Sequence, residues 1–334
     1  MPELPEVEAA MDTLRRRAQG RTIRRVRLLH PALERRVSPA RLRALAGGRV
    51  ARVERRGKHQ LLHLDDGRIL HVHFRMNGDW AHDRDGDELP RFARAVIEFD
   101  DATRLILVDS RALGTIDVHP AGAPLELGLG PDAADEGWRA EDLATALAQK
   151  RGPIKPVLLD QRVIAGLGNI YAAESLWRAR ISPFVAARSL QATQVRALRD
   201  AIAAVLRRAT GSRYTDDDTT ELDVYDREGL PCRRCRTPIE RVVQAGRSTF
   251  FCPVCQPLGG VAARGTRDAS PPTSKPMTTA KKAATAKTST GKATTAKATT
   301  AKAAKAKAAK AKATRATKPK APSKTTRKAS SRAR

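Results

Sequence analysis

The sequence contains little of what marks membrane and secreted proteins. It has no run of about 18 apolar residues, so we expect no membrane-spanning helix. The first residues also lack a basic stretch followed by an apolar one, which is the pattern of a secretory signal. These two absences predict a cytoplasmic protein.

Cysteine is scarce, and all four cysteines lie between residues 232 and 255. This grouping favours a metal site in a reducing compartment over a disulfide framework. The pairs Cys232–Cys235 and Cys252–Cys255 are separated by 16 residues, a spacing typical of a tetrahedral four-cysteine zinc site. Between them, IERVVQ and STFF are typical of two strands. We therefore predict one structural Zn²⁺ that pins a hairpin, with Arg247 near its tip as a functional or merely solvated charge.

Acidic residues are nearly missing from the C-terminal part. Residues 264–334 contain 21 Lys and Arg but one acid, Asp268, whereas the preceding 263 residues contain 42 basic and 35 acidic side chains. The same segment has no aromatic residue and cannot bury enough apolar surface to offset the entropy of ordering. We predict a disordered basic tail on a modestly basic folded body, with a polyanion as partner.

The first 120 residues predict a helix followed by an antiparallel sheet structure. Apolar residues step by three and four along 4–18, and Gly20 follows as a stop. Short β-like runs separated by Gly and Asp turns come next, which is typical of a sandwich or barrel. These runs are TIRRVRLL, RVARVERR, HQLLHL, RILHVHF, RAVIEF and RLILVD.

The pattern changes after residue 120. A Gly/Pro-rich linker leads to helical segments at about 140–150, 155–164, 170–179 and 189–209. We divide the chain into a helix and β-sandwich domain, a linker, a helical domain, a zinc hairpin and a tail. The boundaries are 1–120, 121–138, 139–225, 226–260 and 261–334.

Pro2 and Glu3 precede the first helix. Removal of the initiator methionine would expose Pro2 as a secondary amine, and an α-amino group has a pKa near 8, so much of it is neutral. A neutral amine attacks an aldehyde-like sugar carbon to form an iminium, and Glu3 could move protons beside it. The alternative is that both residues merely lead into the helix, but Pro5 already suits a helix start.

Two further segments are candidate phosphate contacts. The turn at 166–169 opens a helix, so backbone N–H groups and Asn169 suit a DNA phosphate, although an ordinary helix turn capped by Asn169 explains the pattern equally. Lys58 follows Gly57 at a strand entrance and could reach a phosphate, or be simply exposed. Histidines 59, 63, 71 and 73 and the acidic run 216–218 show no spacing that requires a metal.

These segments together resemble the formamidopyrimidine-DNA glycosylase / endonuclease VIII family of base-excision repair. The resemblance covers about residues 2–257 and rests on four motifs in the same order: PELPEVE, RRGK, DQ…GLGNIYAAESLWRARISP and C-x2-C…GRSTFFCPVC. It implies an α+β fold with an N-terminal helix, an antiparallel β-sandwich, a helix-two-turns-helix domain and the four-cysteine zinc hairpin. It also implies double-stranded damaged DNA as substrate and a monomer.

The resemblance assigns roles at the matching positions. Pro2 is implied as the nucleophile that attacks C1′ of the damaged nucleotide, with Glu3 as general acid/base and β,δ-elimination as the strand-cleaving step. Lys58, Asn169 and Arg247 are implied phosphate contacts. The residues implied to fill the void left by the flipped-out base are Met76, Arg111 and Leu113.

Three departures from the family pattern bear on the substrate. Leu113 stands where many formamidopyrimidine-type members have a phenylalanine wedge, and HFRMNG replaces the more usual HLGM start. The loop at 211–223 is short and acidic. PELPEVE and VYDREGLPC favour the formamidopyrimidine-type branch, with formamidopyrimidine and 8-oxoguanine as substrates. The alternatives are endonuclease VIII-like specificity for oxidised pyrimidines, or a non-catalytic architectural DNA-binding protein.

The tail lies outside this resemblance and is similar to the Lys/Ala-rich tail of a linker histone. We expect it to bind DNA nonspecifically and to keep the protein near the nucleoid.

Overall fold

The computed structural model describes residues 2–34, 36–209 and 221–258. The predicted tail and most of the short acidic loop at 211–223 therefore lie outside the described residues. Within the described ranges, no helix is both long enough and apolar enough to cross a membrane.

Helix α1, Leu4–Arg17, begins where the sequence predicted. Pro5 lies in its first turn, where a missing N–H is tolerated, and three arginines in the last turn complement the helix dipole. Val7, Met11 and Leu14 lie on one face and are buried in the core of the sandwich. Burial of this face anchors the helix, and with it the residues before it.

Two four-stranded antiparallel sheets form the sandwich, which confirms the predicted fold class. Their strand orders are β1-β6-β7-β5 and β2-β3-β4-β8. Along the strands, residues that face inward tend to alternate with residues that face outward. The inward-facing residues of both sheets form one apolar core with α1. The strands are β1 Ile23–Leu28, β2 Val50–Arg56, β3 His59–Leu64, β4 Ile69–His73, β5 Gly78–Arg84, β6 Ala93–Phe99, β7 Thr103–Asp109 and β8 Thr115–His119.

Four short elements of the sandwich were not predicted. Strand β5 is mostly polar, and only Gly78 and Trp80 of its residues are buried. Strand β8 is five residues long and is followed by Pro120. The other two are the short helices α2, Pro31–Glu34, and α3, Pro39–Ala44.

A second apolar core lies in the helical domain. Its helices are α4 Ala140–Ala148, α5 Ile154–Leu158, α6 Asn169–Arg178 and α7 Ala192–Ala209, with a short 3₁₀ turn at Ala187–Ser189. The prediction of a helix over 155–164 is wrong in its second half. The Asp160 side chain accepts from the backbone N–H of Arg162 and stabilises a turn there instead.

The zinc hairpin consists of β9, Glu240–Gln244, and β10, Arg247–Phe251, which pair antiparallel as predicted. A small core of its own joins Ile239 and Phe250 of the hairpin to Ala173 and Trp177 of α6. The hairpin is thus attached to the helix that follows the glycine turn.

Candidate active site

The residues before α1 are held in place by Glu6. Glu3 donates its backbone N–H to Glu6 Oε2 at 2.8 Å. The hydroxyl of Tyr171, on α6, donates to Glu6 Oε1 at 2.6 Å. Glu6 therefore connects the start of the chain to the helical domain, and the half-buried Pro2 lies directly before this fixed point.

The Glu3 carboxylate lies at the N-terminus of α6. Its oxygens accept from the backbone N–H of Ile170 at 2.8 Å and of Tyr171 at 3.2 Å. The side chain is 1% exposed. Burial raises the pKa of Glu3, while Lys58 and the two N–H groups act in the opposite direction. The site thus contains a fixed carboxyl group that keeps a proton at higher pH than an ordinary glutamate does.

The glycine turn before α6 makes room for this arrangement. A Cβ on Gly168 would lie 2.2 Å from Glu3 Cδ, so a larger residue there would displace the carboxylate. Gly166 has φ +97°, and a Cβ on it would lie 2.2 Å from Leu4 Cδ1. Both glycines of GLGN therefore let the first residues of the chain approach α6 closely.

Lys58 is buried beside Glu3, which excludes the alternative of a simply exposed lysine. Its side chain is 9% exposed, and Nζ donates to the backbone oxygen of Leu167 at 2.9 Å. Burial lowers the pKa of Lys58, and the nearby Glu3 carboxylate opposes that shift. The Lys58 amine and the Glu3 carboxyl group therefore share one buried site.

Arg55 fixes the turn that presents Lys58. Its guanidinium pairs with Glu8 of α1 and, at 2.6 Å, with Asp132 of the linker. The same Asp132 oxygen, Oδ2, also accepts from the backbone N–H of Gly57 at 2.7 Å. This ion cluster joins α1, the β2–β3 turn and the linker. The sequence showed Arg55 within RRGK, but nothing in it indicated these partners.

Lys155, at the start of α5, was missed by the sequence reasoning. It is 1% exposed, and Nζ donates to Asn169 Oδ1 at 2.6 Å, Thr249 Oγ1 at 2.9 Å and the backbone oxygen of Ser248 at 3.1 Å. Burial lowers the pKa of Lys155 to about 8, and the charge of Arg247 adds to this. The only signal in the sequence is a lysine between Ile154 and Pro156 in an otherwise apolar segment.

Asn169 does not cap α6, because Gly168 occupies the N-cap position. Its amide is held by Lys155 on one side and donates Nδ2 to the backbone oxygen of Ser248 at 3.0 Å on the other. Arg247 lies next to Ser248, at the exposed start of β10. The structure therefore brings Asn169 and the hairpin that carries Arg247 together at the N-terminal end of α6, where the Glu3 carboxylate also lies.

Glu174, in the middle of α6, fixes the segment that leads into the hairpin. Its buried carboxylate accepts from the backbone N–H groups of Asp223, Val224 and Tyr225 at 2.8–2.9 Å. The ring of Tyr225 in turn packs edge-on against Phe250, with centroids 4.9 Å apart. An acid within the apolar run IYAAESLW was the available signal, and it was overlooked.

Met76, Arg111 and Leu113 lie on two loops at one end of the sandwich. The β4–β5 loop carries Met76, and the β7–β8 loop carries the other two. The loops meet because His73 pairs with Thr115 and Gly78 with Asp109. Met76 is half-buried, whereas Arg111 is exposed and Leu113 is 46% exposed. Their contact with DNA stays a prediction.

One carboxylate shapes the second of these loops. Asp109 accepts from the backbone N–H groups of Arg111 at 3.0 Å, Leu113 at 2.7 Å and Gly114 at 2.7 Å. These bonds turn the backbone back toward β8, so the side chains of Arg111 and Leu113 point away from the core.

The four cysteines form a metal site. One thiol sulfur from each of Cys232, Cys235, Cys252 and Cys255 lies within 4.8 Å of the others. The Sγ–Sγ distances are 3.9 Å for Cys232–Cys255 and 3.4 Å for Cys235–Cys252. Zn–S bonds of about 2.3 Å in a tetrahedron place sulfurs about 3.8 Å apart. The donor set and its spacing fit one structural Zn²⁺.

The other sequence features hold no comparable cluster. Within the described ranges, the four cysteines are the one group of three or more His, Cys, Asp or Glu side chains whose ligand atoms lie close enough together to hold a metal ion. Histidines 59, 71 and 119 instead hydrogen-bond to one another across the sheet. The acidic run at 216–218 lies outside the described residues.

Comparison with known families identifies the three parts of the chain. Residues 1–116 match the formamidopyrimidine-DNA glycosylase N-terminal domain, residues 129–218 the formamidopyrimidine-DNA glycosylase H2TH domain, and residues 229–258 the zinc finger found in FPG and IleRS. The chain belongs to the formamidopyrimidine-DNA glycosylase family. Its zinc finger and DNA-glycosylase character follow from that membership. The tail beyond residue 258 lies outside these matches.

Named relatives of this DNA glycosylase span the same part of the chain. The formamidopyrimidine-DNA glycosylase of Paracoccus denitrificans is 40% identical over 280 residues, which covers 77% of this chain and 100% of the relative. The solved enzyme of Lactococcus lactis, bound to DNA with an AP site, has 30% identity and a TM-score of 0.71, covering 77% and 100%. The Thermus thermophilus protein has 39% identity and a TM-score of 0.67, covering 76% and 98%.

Proposed function

We propose that the protein is a bifunctional DNA glycosylase and AP lyase that uses Pro2 as its nucleophile. The observation that carries this proposal is the Glu3 carboxyl group, buried and fixed at the N-terminus of α6 directly beside residue 2. Structures of relatives with AP-site DNA, 8-oxoguanine-containing DNA and formamidopyrimidine-containing DNA support damaged DNA as the substrate.

The proposed reaction begins once Met1 has been removed. The neutral secondary amine of Pro2 attacks C1′, the bond from C1′ to the base breaks, and the base leaves with the bonding electron pair and takes up a proton. Glu3 protonates the ring oxygen as the sugar opens, which yields an iminium between Pro2 and C1′. Loss of a C2′ proton then expels the 3′ phosphate, and a second elimination expels the 5′ phosphate.

Lys58, Asn169 and Arg247 are proposed to bind the phosphates around the damaged nucleotide. The support is that Lys58 adjoins Glu3, while Lys155 and the backbone of Ser248 fix the Asn169 amide beside the strand that begins with Arg247. A phosphate at this place would accept from a charged donor and would lie close to the positive end of α6. Such contacts position the sugar without reading the base sequence.

Met76, Arg111 and Leu113 are proposed to enter the DNA where the damaged base leaves the stack. Attack at C1′ requires this extrusion, because stacked DNA hides the sugar carbon and the base edge. Leu113 is the wedge, since an aliphatic side chain can separate a base step. Its exposure, and the Asp109 bonds that turn its backbone, support that role.

The preferred substrates are proposed to be formamidopyrimidine and 8-oxoguanine lesions. A second candidate, oxidised pyrimidines, is favoured by one observation: the Lactococcus lactis relative has also been solved with DNA containing an oxidised pyrimidine. The short acidic loop at 211–223, most of which lies outside the described residues, removes one basis for choosing the purine lesions.

A set of duplexes that differ in one lesion tests this function. We expect formamidopyrimidine and 8-oxoguanine to be excised at least about tenfold faster than thymine glycol under single turnover. Duplexes with either lesion, or with an abasic site, should be cut to give the strand ends that β,δ-elimination produces. Faster excision of thymine glycol would favour the endonuclease VIII-like alternative, whereas excision without strand cleavage would exclude the lyase. Binding without excision would leave the architectural alternative.

The basic tail is proposed to bind DNA nonspecifically and to keep the protein in the cytoplasm near the nucleoid. Its 21 basic side chains against a single acid support this proposal. Each phosphate that such side chains neutralise releases counterions and adds about −0.9 to the slope of log K against log salt.

Deletion of residues 264–334 is expected to flatten the salt dependence of binding to undamaged DNA by several such increments. Binding isotherms between low and physiological salt measure this slope for the full chain and for the truncated one. The excision rate on a saturating lesion duplex should stay unchanged, since the active site lies in the preceding residues. An equal slope for the two proteins would contradict a tethering tail.

A further inference from the structure

Trp177 lies next to the zinc site, in the last turn of α6. Its side chain is 5% exposed and packs in the small core shared with Val224, Cys232 and Phe250. The proposed DNA chemistry uses the opposite end of this helix, where Glu3 is bound. Trp177 therefore has no part in that chemistry.

The buried indole N–H of Trp177 has no hydrogen-bond partner of ordinary geometry in the described part of the chain. A buried polar group without an acceptor is unfavourable and calls for a physical explanation. Cys232, whose sulfur is one of the four ligands of the zinc site, packs in the same small buried core as this indole. A zinc-bound thiolate carries negative charge and accepts such a donor readily.

Arg234 holds the indole from the other side. Its guanidinium carbon lies 3.7 Å from the centroid of the Trp177 ring, a close cation–π contact. The same guanidinium donates to the backbone oxygens of Trp177 at 2.6 Å and Arg178 at 3.0 Å, in the last turn of α6. Since Arg234 lies between Cys232 and Cys235, the metal-binding turn itself clamps the tryptophan.

We propose that Trp177 and Arg234 support the zinc site from beside its ligands: the indole N–H donates to the zinc-bound Cys232 thiolate, and Arg234 fixes the ring in that position. Both are positioning residues. The hydrogen bond stabilises the negative charge of the sulfur, and the thiolate is the form of cysteine that binds zinc. Residues that hydrogen-bond to metal ligands typically contribute about 10–100-fold to metal affinity.

Trp177→Phe tests the hydrogen bond, because phenylalanine keeps an apolar ring and removes the N–H. In the full chain, competition with a chromophoric chelator is expected to show zinc bound about 10–100-fold more weakly than in the wild type. Trp138→Phe is the matched control. Trp138 is equally buried, but its N–H donates to the backbone oxygen of Ala133, in the other core of the helical domain.

Replacing zinc by cobalt gives an absorption band that reports on the metal-bound sulfurs and does not shift when the fold is merely less stable. Loss of a hydrogen bond to a thiolate is expected to shift the sulfur-to-cobalt charge-transfer band of Trp177→Phe to lower energy. Arg234→Met, which leaves the indole in place, should weaken zinc binding less and in the same direction. Unchanged zinc affinity and an unchanged band in Trp177→Phe would overturn the proposal. So would an equal loss of affinity in Trp138→Phe.

Discussion

Borohydride is expected to trap the protein covalently on abasic-site DNA only when Pro2 is the free N-terminus. Hydride reduces an iminium to a stable amine, so the adduct reports the proposed bond between Pro2 and C1′. An N-terminal extension converts the Pro2 nitrogen into an amide, which has no basic lone pair. The fixed position of residue 2 before the buried Glu3 gives the free amine a defined place from which to attack.

The clearest design uses one polypeptide before and after cleavage of an extension that ends directly ahead of Pro2. Adducts are counted as a shifted band of labelled DNA on a denaturing gel. The uncleaved protein should give background, and cleavage should restore trapping without any change of sequence in the folded part. Equal trapping before cleavage would assign the nucleophile to a lysine, with the buried Lys58 and Lys155 as the first to examine.

Glu3→Gln is expected to lower the single-turnover rate of base excision by about 10²–10⁴-fold, the usual contribution of a general acid or base. Glutamine keeps the length of the side chain and one acceptor for the N–H groups of Ile170 and Tyr171, but it cannot exchange a proton. Asp12→Asn is the control, because Asp12 lies on α1, the helix that follows Glu3, in an exposed pair with Arg15. Its rate should match the wild type.

The pH profile separates proton transfer from a merely structural role of Glu3. Burial raises the pKa of Glu3, so its carboxyl group stays protonated to higher pH than an exposed glutamate would. The requirement for this proton is fully met below the raised pKa and lowers the rate as the pH rises through it, whereas the requirement for a neutral Pro2 amine lowers the rate on the acid side. Glu3→Gln should lose that fall. A variant that keeps the wild-type profile at a lower rate would contradict the assignment of the proton to Glu3.

The sequence allowed the strongest predictions where function depends on fixed spacing. Some local structures require particular residue types at a fixed spacing, as the four cysteines, the glycine turn and the PELPEVE start show. The zinc hairpin, α6 and α1 were therefore predicted almost at their observed positions. Strand β5 was missed because its sequence, GDWAHDR, is polar, and it is a strand through pairing with β7 rather than through its own pattern. Local pattern alone cannot show such a partner.

The partners of buried charges were equally inaccessible to the sequence. Lys155 contacts residues 14 and 94 positions further along the chain, and Glu174 binds backbone groups about 50 positions away. Neither distance leaves a periodic trace in the sequence. A charged residue inside an apolar segment, as in IKPVL and IYAAESLW, indicates only that a partner must exist.

The Asp109 carboxylate makes the shape of the β7–β8 loop independent of the side chains that the loop displays. All three of its bonds go to backbone N–H groups, including that of residue 113. A replacement at position 113 can therefore alter the bulk and the stacking of the proposed wedge while the backbone keeps its course. Under the proposed wedge role of residue 113, lesion preference could then diverge through a single codon, without any compensating change in the fold.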